Sequence, residues 1–332
     1  MRAVVTGANG HLGSTLCKAL VAKKYVAKAL IRNPEKERLK HIDTNLFDIV
    51  DYDLLNERQL VELFHGADCI FHTAAPTQLW AKKSEEITRP IYQGTLNVIR
   101  AAAKAQVPKI IYTSTGATLG FKTPKKRELD ETNFNIKTRH PQFRAKLRAE
   151  IDGSRLAANL GVRFIRVCPP NIIGPGFASC SPSTEPYVRL IKDELPAIPK
   201  VSYFTSDARD LAEAQILLAQ ENPRHDRYII AAHYTTPEIL LEIAQELLVD
   251  FKRPAILPPW MLVGAWLSDS MAYYTSLGTR KRALTFDLLK EYMGSEQKVS
   301  TLRFRTEFST WQPRSLHATM SDMFNWIRNY CI

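Results

Sequence analysis

Long apolar runs, paired cysteines and low-complexity tracts are what this 332-residue chain lacks. No apolar stretch approaches the roughly 18 residues that a spanning helix needs. The first strand reads from Arg2, which leaves no space for a leader, so a cytoplasmic location is expected. The five cysteines, Cys17, Cys69, Cys168, Cys180 and Cys331, show no C-x-x-C spacing. Neither a zinc site nor a disulfide framework is indicated, and buried thiols are expected instead. Acidic residues are short against basic ones, 34 to 45, for a formal charge of +11. The excess is scattered over Lys23-Lys24, Lys36 to Lys40, Lys122 to Arg127, Arg144 to Arg148 and Arg280 to Arg282. Without aromatic interleaving or a binding module, that dispersion reads as solvated surface and argues against a nucleic-acid partner. An anionic small molecule accounts for part of it more simply. What remains is a globular composition, 45% hydrophobic and 24% charged, long enough for a substantial core.

The most informative segment is present at the start. Val4-Val5-Thr6-Gly7-Ala8-Asn9-Gly10-His11-Leu12-Gly13 runs from an apolar strand into a stretch, Leu12 to Ala22, with helical apolar spacing. Gly7 permits a tight turn, Gly10 lets the backbone approach a pyrophosphate, and Gly13 lets the helix lie close to the strand. Amides at the helix start, at its positive dipole end, suit the anion. Strands are expected at Val26–Ile31, Asn45–Val50, Cys69–Thr73, Lys109–Thr113 and Val162–Val167, with helices between them. Such alternation predicts an α/β fold, a Rossmann-type doubly wound parallel sheet. After Pro169-Pro170 the chain leaves the sheet, returns for a helix at Asp207–Gln220 and a strand at Arg227–Ala231, and leaves again. The expected division is a nucleotide-binding domain of residues 1–170 and 206–231 with a smaller, mostly helical C-terminal substrate lobe of 171–205 and 232–332. Residues 255–267, the most apolar stretch, read by default as a buried helix of that lobe, with a membrane-surface contact as the other possibility.

Ile110 to Gly120, placed beside the glycine turn, resembles the strand and active-site segment of extended short-chain dehydrogenase/reductases, the NAD-dependent epimerase/dehydratase superfamily. Phe71 to Ala75, Gly94-Thr95-Leu96-Asn97, Arg166 to Pro175 and Asp207 to Ala212 follow in that family's order. Leu79-Trp80-Ala81, followed by Tyr112 to Gly120, is most similar to the dihydroflavonol-reductase-like branch, which includes hopanoid-associated sugar epimerases. The resemblance implies a Ser/Thr, a Tyr and a Lys in the active site. Thr115 matches the first and Lys146 the last, but Gln142 stands at the Tyr position; shifting the register by one puts Phe143 there and Leu147 at the Lys position. Either way the hydroxyl acid is missing. Ile91 stands where the family has an Asn that helps the proton relay. A Gln amide hydrogen-bonds an oxygen but does not titrate near neutral pH. His140, two residues earlier, is the candidate proton source, with Tyr187 and Tyr203 behind it.

For the cofactor, the resemblance assigns Gly7, Asn9, Gly10, His11, Leu12, Gly13, Asp53, Leu54, Thr73, Ala74, Ala75, Thr113, Lys146, Pro169 and Ile172. Lys146 would donate to ribose hydroxyls, although an i,i+4 pair with Glu150 on an exposed helix face is the plainer reading. Arg32, followed by Lys36 and Arg38, stands at the end of the second strand where NAD-specific sites carry an acid, which favours NADP(H) over NAD(H). Two functions stay open. One is an NADP(H)-dependent oxidoreductase or epimerase-like enzyme with an atypical site, acting on a hydroxyl or ketone of a hydrophobic or ring-containing small molecule near Trp80, Phe121, Phe177, Tyr187 and Tyr203. The other is a non-catalytic NADP(H)-binding sensor or partner protein. The resemblance also implies a possible homodimer through helices at Glu85–Lys104 and Pro141–Asn159.

Overall fold

Runs of β-branched and apolar residues spaced by amphipathic segments build the fold, here seen in a computed structural model. It describes residues 1–33, 47–121, 128–178, 180–276, 279–282, 284–292 and 296–331. Lys36, Arg38 and the basic run 122–127 lie outside the described residues. The first half alternates β1 (Arg2–Thr6), α1 (His11–Ala22), β2 (Val26–Ile31), β3 (Asp48–Asp51), α2 (Glu57–Phe64), β4 (Cys69–His72), α3 (Glu85–Lys104), β5 (Lys109–Thr113), α4 (Pro141–Asn159) and β6 (Arg163–Val167). The rest comprises β7 (Asn171–Ile173), α5 (Glu185–Ile191), β8 (Ala197–Pro199), β9 (Tyr203–Asp207), α6 (Ala208–Gln220), β10 (Arg227–Tyr228), β11 (His233–Thr235), α7 (Pro237–Leu247), β12 (Ala255–Leu257), α8 (Leu262–Thr275), α9 (Phe286–Tyr292), α10 (Leu302–Glu307) and α11 (Leu316–Tyr330).

Strands β10-β6-β5-β4-β1-β2-β3 form one sheet in that order, with every pairing parallel. The order runs outward in both directions from the β1–β4 pair, so the topological switch point, where open α/β sheets bind ligands, lies at the ends of β1 and β4. One face is covered by α1 and α6, whose Leu12, Leu16, Leu20, Leu211, Ile216 and Leu218 share a core with Val5, Phe71 and Ile165. The other face is covered by α2, α3 and α4, where Leu60, Phe64, Val98, Ile99 and Ala149 pack on Val4, Ile70, Ile110 and Tyr112. The doubly wound α/β fold expected from the sequence is therefore what forms.

Several expectations need correction. The third strand is Asp48–Asp51; it begins later than expected, and residues 45 and 46 lie outside the described ones. The seventh sheet strand ladders only at Arg227–Tyr228, after which Ile229 to Ala231 continue buried, with Ile229 N bonded to Glu131 Oε1 and Ile230 O to Ser206 Oγ instead of to a strand. The C-terminal segments are less purely helical than expected, because β7, β9 and β11 make a three-stranded sheet and β8 and β12 a two-stranded one. The 255–267 stretch is not one buried helix. Pro258-Pro259 break it into a strand and a short turn, and no residue of α8 is fully buried. Of the thiols, Cys17, Cys69 and Cys168 are buried as expected, whereas Cys180 is exposed and Cys331 half-buried. No helix among the described residues is long and apolar enough to cross a membrane.

Candidate active site

The turn after β1 shows why each glycine is there. Gly7 has φ +69°, and a Cβ on it would come within 2.7 Å of Ala74 Cα. A Cβ on Gly13 would lie 2.2 Å from Gly7 O. Both glycines therefore serve close packing. Gly10 differs: it is exposed, has φ −76°, and a Cβ there would meet only Gly7 O, at 3.2 Å. It starts α1 without a side-chain cap, and the first turn holds no acid, so the helix amides and positive end are left for an anion. A cradle that a methyl group would fill fits a pyrophosphate.

Around this cradle, β1 and β4 are stitched together. Thr73 Oγ1 donates to Thr6 O at 2.7 Å, and Ala74 N to Thr6 Oγ1 at 3.4 Å, which brings Thr73, Ala74 and Ala75 beside the glycine turn. His72 bridges Thr6 Oγ1 (2.8 Å) and Thr95 Oγ1 (3.1 Å), and burial pushes its pKa down to about 3, so it is a neutral strut. Gly7 N donates to the buried Tyr52 hydroxyl at 3.1 Å. His11 reaches Pro175 O at 3.0 Å and sets its ring edge against Phe177; burial lowers its pKa to about 4. Leu12 is buried and Asn9 half-buried. Arg32 is exposed at the end of β2, and Asn33 N behind it is held by Asp51 Oδ1 at 2.9 Å. Asp53 is exposed and accepts from Leu55 N, while Leu54 is buried and offers its carbonyl to Asn97 Nδ2 at 3.0 Å. Pro169 O accepts from Gly116 N at 2.6 Å, the Thr113 hydroxyl is taken by Gln215 Nε2 at 3.0 Å, and Ile172 is half-buried in β7.

At the end of β5, Thr115 caps a short turn by accepting from Ala117 N at 3.3 Å, which leaves its own O–H to donate elsewhere. Lys146 on α4 is buried rather than on an exposed face. Its Nζ donates to Thr113 O at 2.7 Å and sits 4.7 Å from the centre of the Tyr112 ring, and burial lowers its pKa to about 8. Glu150, one turn on, is not its ion-pair partner. Glu150 instead accepts from Ser114 Oγ and from Arg227 Nε, the latter at 2.7 Å. Arg227 in turn donates to the carbonyls of Glu131 (2.9 Å) and Asn133 (2.6 Å), so one buried ion pair joins β5, α4, β10 and the loop before α4. Gln142 Nε2 donates to Pro76 O at 2.8 Å. His140, just before α4, is buried with Nε2 3.1 Å from Leu79 O and Nδ1 unpartnered, and burial lowers its pKa. Gln142 and His140 thus hold the same loop after β4, and Trp80 of that loop meets Tyr273 of α8.

Thr115 follows β5 directly and Lys146 is tied to the end of the same strand through Thr113 O, with β4 between β5 and the strand that carries the glycine turn. Phe177 and Tyr187 do not join them, since both belong to the core shared by α5, α7 and α11. The sequence reading gave no role to Tyr52 or Arg227, held His72, Thr95 and Ser114 only as parts of matching segments, and paired Glu150 with Lys146 instead of Arg227. It also missed Gln297, which holds the Thr115 turn through the carbonyls of Gly116 (2.9 Å) and Gly120 (3.0 Å).

A parallel sheet with a glycine turn at its switch point is the framework of a nucleotide-binding α/β fold, and the comparisons give the family. The chain belongs to the NAD dependent epimerase/dehydratase family, whose model matches residues 3–231. Among its relatives, dihydroflavonol 4-reductase of Solanum lycopersicum is 30% identical over 259 residues, covering 73% of this chain and 67% of that one. Cinnamoyl-CoA reductase 1 of Petunia hybrida is 27% identical over 263 residues, covering 75% and 78%. The crystal structure of gox2253 matches with a TM-score of 0.84 at 23% identity, covering 99% of this chain and 98% of that one. UDP-glucose 4-epimerase of Thermotoga maritima, solved with UDP-glucose, matches with a TM-score of 0.79 at 18% identity over the whole of both chains. The family and the reductase-like kinship read from the sequence are borne out.

Proposed function

We propose that the chain is an NADP(H)-dependent reductase acting on a ketone or hydroxyl of a hydrophobic or ring-containing small molecule, through a site that has Gln142 where related enzymes carry a Tyr. The observation that carries this reading is the Thr115 hydroxyl. It spends its lone pair on Ala117 N and keeps its proton for a substrate oxygen, a use that mere cofactor binding does not require. Relatives named as dihydroflavonol and cinnamoyl-CoA reductases support the substrate class. When bound, the cofactor supplies or accepts a hydride. The amides from Gly10 to Gly13 would hold its pyrophosphate, Lys146 its ribose, and Arg32 its 2′-phosphate, because Arg32 is exposed and has no ion-pair partner among the described residues. Residues 171–205 and 232–332 would form the substrate lobe.

The chain's own groups then divide the work. Thr115 orients the oxygen, and Gln142, with its NH2 held by Pro76, presents its amide oxygen as an acceptor. Lys146, charged below pH 8, is the group that holds a proton to give during reduction. His140, buried beside α4 with Nδ1 lacking a partner, is the other candidate for proton exchange, although burial lowers its pKa and disfavours the charged ring. The engagement of Gln142 with Pro76 also favours a second reading, a non-catalytic NADP(H)-binding sensor or partner protein, because it ties the side chain to the scaffold. NADPH oxidation by wild type, Gln142→Tyr and Lys146→Ala over aliphatic, steroid-like, flavonol-like and sugar-nucleotide ketones separates them. Wild-type turnover lost in Lys146→Ala establishes the reductase; turnover confined to Gln142→Tyr establishes the second reading.

A further inference from the structure

Helix α8 carries its apolar side chains on the outside. At 3.6 residues per turn, Val263, Leu267, Met271 and Tyr274 fall within an arc of about 80°. Trp260, on the turn just before, continues the stripe. Trp260, Leu267, Met271 and Tyr274 are 68%, 54%, 69% and 71% exposed. The opposite arc, with Leu262, Trp266, Asp269, Ser270 and Tyr273, is half-buried and meets the body of the protein. Trp266 rests against Phe286, Tyr273 against Trp80, and Asp269 Oδ2 lies 3.0 Å from Arg282 Nε. The one carboxylate of the helix is therefore turned inward and paired, and the outer stripe has no charge at all.

Cations adjoin this stripe at one end. Arg280 and Lys281 are exposed beyond its C-terminal end, and Arg280 N donates to Ser276 Oγ at 3.2 Å, which keeps it at the helix terminus. Aliphatic side chains between a Trp and a Tyr, with basic residues beyond, complement a bilayer interface with anionic headgroups. The rings suit headgroup level, the aliphatics the acyl boundary and the cations the lipid phosphates. A helix of this length extends about 21 Å, too short to span and suited to lie flat. Two copies paired through this face would offer those cations no carboxylate on it.

We propose that the face formed by Trp260, Val263, Leu267, Met271 and Tyr274 docks the protein peripherally on anionic phospholipid membranes. The proposal makes no use of the reading of the active site. Its test is co-sedimentation of the full chain with vesicles of phosphatidylcholine containing a quarter phosphatidylglycerol, against pure phosphatidylcholine. The expected result is retention on the anionic vesicles, weakened by added salt and by Arg280→Glu with Lys281→Glu. Leu267→Glu with Met271→Glu should lower the partition coefficient at least about tenfold. Both side chains are exposed, so unchanged near-UV circular dichroism and melting temperature check that the variant folds. Three results overturn the proposal: no retention on anionic vesicles, retention indifferent to the Leu267 and Met271 changes, or a solution dimer that Met271→Glu splits. The last assigns the face to a second copy of the chain.

Discussion

Two glycines at the start of α1 should fail in different ways when each gains a methyl group. In Gly13→Ala the new Cβ would stand 2.2 Å from Gly7 O and 2.9 Å from Gly7 C and Thr73 Oγ1. Two of those atoms are backbone, so α1 must shift by about 1 Å to restore ordinary contact distances. Overpacking of that kind costs about 1–3 kcal/mol, or a fall of several degrees in Tm at about 2–4 °C per kcal/mol for a large domain. In Gly10→Ala the Cβ would meet only Gly7 O at 3.2 Å, in a backbone conformation open to alanine. Its cost to the helix start is about 1 kcal/mol or less. That methyl group, however, stands where the proposed reading brings in the pyrophosphate. Loss of a charge-assisted hydrogen bond there, about 1.5–3 kcal/mol, raises the Kd for NADPH roughly ten- to hundredfold. Thermal melting and NADPH fluorescence titration of both variants read the contrast. Wild-type NADPH affinity in Gly10→Ala would refute the placement of the phosphates, and a wild-type Tm in Gly13→Ala would refute the packing argument.

Three further outcomes follow from the site. Arg32→Asp should raise the Kd for NADPH at least about tenfold while sparing NADH, since it replaces the proposed partner of the 2′-phosphate with a like charge; parallel titrations decide. Lys146 has its pKa lowered by burial to about 8, so between about pH 8 and 10.5 the unfolded chain binds the extra proton and stability rises with pH from this group. Lys146→Met should therefore gain stability over wild type at pH 7 and lose that advantage above pH 8, while wild-type NADPH affinity falls through the same window and that of the variant stays flat. Glu150→Ala leaves a buried guanidinium unpaired and should cost about 3–5 kcal/mol in urea denaturation, whereas Asp152→Ala, on a half-buried side chain of the same helix, should cost far less.

The strand-to-helix alternation, the glycine turn and the α3 and α4 boundaries were legible because each is a local pattern, a period or a backbone requirement. Thr115 and Lys146 are placed by the same kind of local step, one at a strand end and one on a helix, and the structure puts them after β5 and on α4. What escaped was nonlocal. Glu150 looked like the i,i+4 partner of Lys146, yet its partner Arg227 is 77 residues away and reaches it only after β10 joins the sheet. Gln297 likewise closes a turn 177 residues upstream of it at Gly120. The 255–267 stretch differs for another reason: apolar content alone does not report burial, and the break at Pro258-Pro259 and the single inward face of α8 decide the outcome.

The Ser114–Glu150–Arg227 cluster has an evolutionary consequence. It fixes the end of β5 and the turn of α4 that carries Lys146 without drawing on residue 142, whose amide is tied to the separate loop at Pro76. A substitution at that position acts on the Pro76 contact and leaves the buried cluster intact. On the proposed reading, selection for a stable fold and selection for proton transfer act on different side chains, so residue 142 can vary at the expense of one loop contact while the end of β5 stays fixed.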